Sequence, residues 1–285
     1  MRSVQEMFDL ILNVAKQDDR IRAVLMNGSR ADMSARKDCF QDYDIVYIVR
    51  ELQSFIVDPD WIKQFGEIMI LQMPNSMGSH TPEDEGSLVY LTQFMDGNRI
   101  DLNIVTDYVD DGEPAVALLD KDHILPEFPL PTGDFYWVKP PTKKQFDDCC
   151  NEFWWLNPYV AKGLWREELP YVMGIMEHHL QDELLKMINW YIGIKTNFTT
   201  GTGKRGKYLK NYLSSEEWNR YRKTYPNHEE DNIWNALYEM DQLFRMAASY
   251  VANHYSYQYP KEEDEKVTAY ISHIKELPKD AKTIY

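Results

Sequence analysis

The chain has 285 residues, 44% hydrophobic and 27% charged, proportions of a folded globular protein with room for one large or two modest domains and not of a disordered chain. Its formal net charge of -15 disfavours a polyanionic partner such as nucleic acid and suits a cationic small molecule drawn to an acidic cleft, although acidity can also serve solubility alone. Three cysteines, two of them adjacent at Cys149 and Cys150, make no disulfide framework, and no stretch approaches the roughly 20 apolar residues of a bilayer span, so a cytoplasmic location without a membrane partner is expected.

From the N-terminus, Val4, Met7, Phe8, Ile11, Leu12 and Ala15 fall at helical spacing, and Glu6 and Asp9 interrupt what would otherwise resemble a signal core. Ile21 to Met26 reads as a strand that ends in a turn at Gly28. Tyr43 to Val49 reads as a second strand, rich in β-branched and aromatic residues. Asp60 to Phe65 predicts a short helix, Glu67 to Met73 a third strand, and Ser76 to Gly86 an exposed loop. Ser87 to Met95 and Arg99 to Val105 flank Asp96-Gly97-Asn98 and predict a hairpin. A connection marked by Pro126, Pro129, Pro131, Pro140 and Pro141 follows. Beyond it, one apolar stripe runs from Phe146 to Leu164 and another from Leu169 to Tyr191, with further helices over Ser215 to Lys223, Ile233 to His254 and Glu262 to Leu277. The expected architecture is α+β, with a mixed-sheet domain over 1–135 and a helical domain over 136–285.

The chemistry-bearing pattern lies in the first part. Gly28-Ser29-Arg30 follows a strand and can cradle phosphates, and Asp42 and Asp44, two apart on a strand, share one face. Asp101 alternates away from Ile100 and Leu102. If its strand neighbours that of Asp42 and Asp44, three carboxylates converge, which is costly without counter-charge. Mg²⁺ is the usual remedy, and two such ions could activate an attacking hydroxyl and stabilise a leaving pyrophosphate. The competing reading is that these aspartates mark strand ends and exposed faces.

This arrangement resembles the polymerase-β-like nucleotidyltransferases. Phe40-Gln41-Asp42-Tyr43-Asp44-Ile45, the block Phe146-Asp147-Asp148-Cys149-Cys150-Asn151-Glu152-Phe153-Trp154 and Tyr159-Val160-x-Lys162-Gly163-Leu164 narrow the resemblance to the aminoglycoside 6-adenylyltransferases over nearly the whole chain. The sequence departs from that pattern at Met26-Asn27, where Leu-Glu is frequent, at Asn103, where Thr is usual, and at Ala31-Asp32-Met33. The resemblance implies an AMP transfer from Mg-ATP to a hydroxyl of an aminoglycoside, with the 6-hydroxyl of streptomycin as acceptor. Asp42 and Asp44 would bind Mg²⁺. Asp101 would complete the metal site, act as base toward the acceptor hydroxyl, or both. Ser29 and the backbone around Gly28 would hold phosphates. Arg30 is a charge partner for the triphosphate or an ion-pair partner of Asp32 or Asp38.

Gly201-Thr202-Gly203-Lys204-Arg205-Gly206-Lys207-Tyr208 matches G-x-G-x-x-G and nearly a P-loop. It lies in the helical half, however, and Tyr208 replaces the last hydroxyl residue. It reads better as a basic loop whose Lys204 and Lys207 reach triphosphate oxygens, in keeping with a Gly-Lys-x-x-Lys stretch of the resembled family, or as a solvated turn. Asp148 and Glu152, four apart on one helical face, could receive cationic groups of the acceptor, with a surface pair to Lys144 as the plainer reading. Glu83, Asp84 and Glu85 could form a second acidic rim or simply an exposed loop. His178-His179 and the cysteines lack zinc-site spacing. The rival functions are a nucleotidyltransferase acting on a lincosamide or a protein hydroxyl, and a silent nucleotide-binding regulator. Oligomeric state stays open.

Overall fold

The computed structural model describes residues 1–32, 35–79, 81–109, 112–128 and 133–285; the side chain of Glu83 also lies outside the description. The chain divides into two compact units, Met1–Phe135 and Tyr136–Tyr285.

In the first unit, α1 (Val4–Gln17) starts at a capping box in which Ser3 and Glu6 satisfy each other's backbone N–H groups. After it come β1 (Ile21–Met26), the single turn α2 (Gly28–Ala31), β2 (Tyr43–Val49) and α3 (Gln53–Ile56). Then follow β3 (Ile68–Gln72), α4 (Pro82–Glu85), β4 (Ser87–Phe94), β5 (Arg99–Val105) and β6 (Val116–Asp120). The six strands form one sheet in the order β3-β4-β5-β2-β1-β6, with β2 and β5 parallel and every other pairing antiparallel. The expected hairpin is present as β4 and β5. The exposed loop expected over Ser76 to Gly86 instead contains α4, because Thr81 caps the N–H of Asp84, Pro82 suits a first helical turn and left-handed Gly86 ends it. Asp60 to Phe65 is a 3₁₀ turn over Trp61–Phe65, and β6 adds an edge strand that the hydrophobic pattern did not announce.

Alternation gives the sheet two unlike faces. Tyr43, Ile45, Tyr47, Ile100, Leu102, Ile104, Leu88 and Tyr90 are buried in the core with Met7 and Ile11 of α1, and Tyr47 donates to the Ile11 carbonyl at 2.6 Å. Each such large side chain contributes on the order of 1.5–3 kcal/mol on leaving water. With that face committed to the core, Asp44 and Asp101 necessarily sit on the other.

The second unit is helical: α5 (Lys143–Trp165), α6 (Leu169–Ile175), α7 (Gln181–Lys195), α8 (Ser215–Lys223), α9 (Glu230–Tyr255) and α10 (Lys261–Glu276). Thr142 and Gln145 form the capping box that starts α5. Its stripe of Phe146, Cys149, Phe153 and Val160 is fully buried, and Phe153 stacks on Phe244 of α9 at 3.8 Å. The single stripe expected from Leu169 to Tyr191 is broken by a π turn at Met176–Leu180, which shifts the helical phase between α6 and α7. Of the proline-marked connection, Pro129, Leu130 and Pro131 lie outside the described residues, as does Met33. Among the described residues no helix is long and apolar enough to cross a membrane.

Candidate active site

β2 and β5 run parallel with Asp44 opposite Asp101, and Asp42 lies two residues earlier on the same face as Asp44. Each of the three carboxylates offers one oxygen, and these oxygens all lie within 4.8 Å of one another. The neighbours that alternate with them, Tyr43, Ile45, Ile100 and Leu102, are anchored in the core on the far side, so the acids cannot turn away from one another by a slip of register.

The turn after β1 closes on this group. The Asn27 N–H donates to the Asp44 carbonyl at 2.9 Å, and Gly28 takes a left-handed φ of +67°. A Cβ added at Gly28 would come within 2.6 Å of Asp44 Cγ, so only glycine lets the turn press against the carboxylate. Burial is the main force raising the Asp44 carboxyl, to about 7, and the charges of Asp42, Asp101 and Glu113 add to it. Arg99 opposes them. Its guanidinium forks onto Asp101 at 2.7 and 2.6 Å and approaches Asp42 at 3.8 Å.

Three carboxylates on one sheet face, one of them driven toward protonation by burial and then by its acidic neighbours, with a turn whose tight approach leaves no space for a side chain, form a donor set that fits a hard divalent cation. The residues present could therefore hold Mg²⁺.

The remaining predicted residues divide. Ser29 follows Gly28 in α2, and its carbonyl accepts from Gln41 Nε2 at 3.1 Å. Arg30 is turned to the backbone: it donates to the carbonyls of Asp42 at 2.9 Å and Gln41 at 2.8 Å, and stacks over Tyr43 at 3.9 Å. It thereby fixes the segment that presents Asp42. Gly28, Asp44 and Asp101 line a cavity of about 260 Å³ together with Asn27, Asn103 and Glu113. Sequence reasoning missed Arg99 and Glu113. The Arg99-x-Asp101 spacing on a strand was a usable signal for the first, whereas Glu113 lies in a connection with no periodicity.

In the second unit, Lys204 belongs to a 3₁₀ turn, Lys204–Gly206, entered through left-handed Gly203. It lines a cavity of about 360 Å³ with Lys139, Lys186, Asn189 and Thr202. Lys207 lies 5.0 Å from the Tyr208 ring, and the Tyr208 N–H donates to the Thr202 carbonyl at 2.8 Å, closing the loop. Helix α7 precedes this segment, so it lacks the strand that a P-loop requires. Asp148 and Glu152 both stand on the exposed face of α5, and Asp148 is paired with Lys144 at 2.5 Å, the ordinary helix-surface contact. In α4, Asp84 accepts from Thr81 Oγ1 at 2.7 Å and Glu85 from Asn75 Nδ2 at 3.4 Å, so both serve local structure.

The family model described as streptomycin adenylyltransferase matches residues 1–274. An aminoglycoside 6-adenylyltransferase of Campylobacter jejuni is 40% identical over 276 residues, covering 95% of each chain. The enzyme of that name from Bacillus subtilis (strain 168) is 37% identical over 280 residues, covering 96% of this chain and 98% of the relative. That of Staphylococcus aureus is 32% identical over 269 residues, covering 92% and 95%.

Proposed function

This chain belongs to the streptomycin adenylyltransferase family, and from that premise we propose that it transfers AMP from ATP to a hydroxyl of an aminoglycoside, the 6-hydroxyl of streptomycin, and so confers resistance to the antibiotic. The observation that carries this reading is the convergence of Asp42, Asp44 and Asp101 beside the Gly28 turn.

The acceptor hydroxyl attacks the α-phosphorus of ATP. A new phosphate ester bond forms, the bond to the bridging oxygen of the β-phosphate breaks, and pyrophosphate leaves. Asp101 takes the proton of the attacking hydroxyl, and Arg99 beside it steadies the carboxylate in the orientation seen here. Asp42, Asp44 and Asp101 would hold Mg²⁺, two ions in this proposal, which when bound neutralises charge on the triphosphate and the leaving pyrophosphate. The backbone around Gly28 and the hydroxyl of Ser29 hold phosphate oxygens, and Arg30 supports them by fixing the Asp42 segment.

Residues 1–135 act as the nucleotidyltransferase domain, and residues 136–285 contribute nucleotide and substrate contacts. Lys204 and Lys207 are assigned to triphosphate oxygens, and Asp148 and Glu152 to cationic groups of the acceptor, for which Asp148 must exchange its surface partner Lys144. The use of ATP supports a cytoplasmic place of action.

Calorimetry with ATP and an assay of pyrophosphate release test the reading together. Mg²⁺-dependent ATP binding with streptomycin-dependent pyrophosphate release supports it. Release with a lincosamide or a protein acceptor alone replaces the acceptor, and ATP binding without release on any acceptor reduces the protein to a silent binder.

A further inference from the structure

The sheet face that carries the acids continues past them. One same-face step along the strands, Asn103 of β5 stands between Val46 of β2 and Val89 of β4, and Leu25 of β1 extends the row. Asn103 is therefore an amide set among aliphatic side chains, two residues beyond Asp101. It lines the same cavity of about 260 Å³ as Asp44, Asp101 and Glu113. Its Oδ1 is buried without a hydrogen-bond partner among the described residues, and so is the Oδ1 of Asn27, which lines that cavity too. Buried amide oxygens normally have a donor, and one without is costly until a ligand brings it. Nothing in the packing of an aliphatic row calls for an amide at this position.

The Gly28 turn lies against Asp44, while Asn103 stands one same-face step past Asp101 in the same cavity, beside whatever approaches Asp101. We infer that Asn103 contacts the acceptor, its amide receiving a hydroxyl adjacent to the one adenylylated on a polyhydroxylated ring. A planar amide matches a vicinal pair of hydroxyls, since the carbonyl oxygen accepts from one while Nδ2 donates to the other. Val46 and Val89 on either side offer the apolar floor on which the C–H face of such a ring rests. This contact selects acceptors by the presence of the neighbouring hydroxyl and rests on the reading that Asp101 receives the acceptor's proton.

Asn103→Leu, close in volume and unable to hydrogen-bond, and Asn103→Ser, which restores a small hydroxyl, test it. Steady-state kinetics with streptomycin and ATP varied in turn are paired with calorimetric titration of streptomycin into each protein. Asn103→Leu is expected to raise KM and Kd for streptomycin about three- to tenfold with KM for ATP unchanged, and Asn103→Ser to recover part of the loss. Equal streptomycin affinity in wild type and Asn103→Leu overturns the inference, as does a change confined to ATP. If Asn103→Leu fails to fold, Asn103→Ser and Asn103→Ala carry the same comparison. Wild-type protein that binds streptomycin without modifying it removes the proposed reaction, while the Kd ratio still decides the role of Asn103; wild-type protein that does not bind streptomycin overturns both.

Discussion

Gly28 and Asp44 are packed so closely that the turn after β1 leaves no space for a side chain facing the carboxylate. The left-handed φ of Gly28 and the Asn27 N–H to Asp44 carbonyl bond hold that approach. The proposed phosphate cradle and the proposed metal-binding carboxylate are thus joined through a position that only glycine fills without strain. Gly28→Ala is accordingly expected to cost about 1–3 kcal/mol of stability and to displace Asp44, abolishing Mg²⁺-dependent ATP binding. Thermal unfolding and ATP calorimetry on the variant check both parts, and an alanine variant with intact ATP affinity would contradict the packing argument.

Removal of a single carboxylate separates the roles within the acid group. Asp42→Asn and Asp44→Asn are each expected to lower turnover more than about a hundredfold through metal affinity. Asp101→Asn is expected to lower kcat about 10²- to 10⁴-fold, the range of a general base. None should unfold the protein: at Asp44 the neutral isostere relieves repulsion from Asp42 and Asp101, and at Asp42 and Asp101 it gives up only a partly exposed pairing with Arg99. Circular dichroism and Mg²⁺ titration of each variant report fold and metal separately.

The two sets of residues in the helical unit should divide by substrate. Asp148→Ala and Glu152→Ala are expected to raise KM for streptomycin several-fold with KM for ATP unchanged, and Lys204→Ala and Lys207→Ala to do the reverse. Identical effects on both substrates would return Asp148 to its plain surface pairing with Lys144.

Much of this arrangement is legible in the sequence. β2 and β5 announce themselves by their runs of β-branched, aromatic and aliphatic residues, and alternation then forces Asp44 and Asp101 onto the face opposite Tyr43, Ile45, Ile100 and Leu102. The sequence could state their meeting only as a condition, since strand adjacency is a tertiary fact; the parallel β2 and β5 ladder supplies it. Arg99 is legible in its spacing to Asp101, since residues two apart on a strand share a face. Glu113 was not readable, because a connection without periodicity carries no facing information. The break at Met176–Leu180 was hidden for the opposite reason: apolar residues continue through it, so the pattern shows an unbroken helix while the backbone gains a π turn. β6 escaped because it is a short, half-exposed edge strand with weak alternation.

Acid sensitivity of the first unit should centre on Asp96. The hydrogen bond from Arg2 leads in holding its carboxyl well below the usual carboxylate range, with the Asn98 N–H assisting. A depressed folded value means that this stabilisation is fully present above the unfolded carboxylate pKa of about 3.9 and is lost as pH falls below it toward the folded value. Asp96→Asn is expected to cost about 1–2 kcal/mol at pH 7, after solvent screening, and almost nothing at strongly acid pH. Denaturant titrations at pH 7 and in acid check this, and an equal loss at both would assign the effect to packing instead of charge.

The most direct test of the central claim is mass spectrometry of streptomycin after incubation with the protein and Mg-ATP, with Asp42→Asn as control. The account predicts one AMP added to streptomycin at its 6-hydroxyl, dependent on Mg²⁺ and absent with the variant. Unmodified streptomycin from wild-type protein that binds Mg-ATP, or an adduct formed equally by Asp42→Asn, would contradict it.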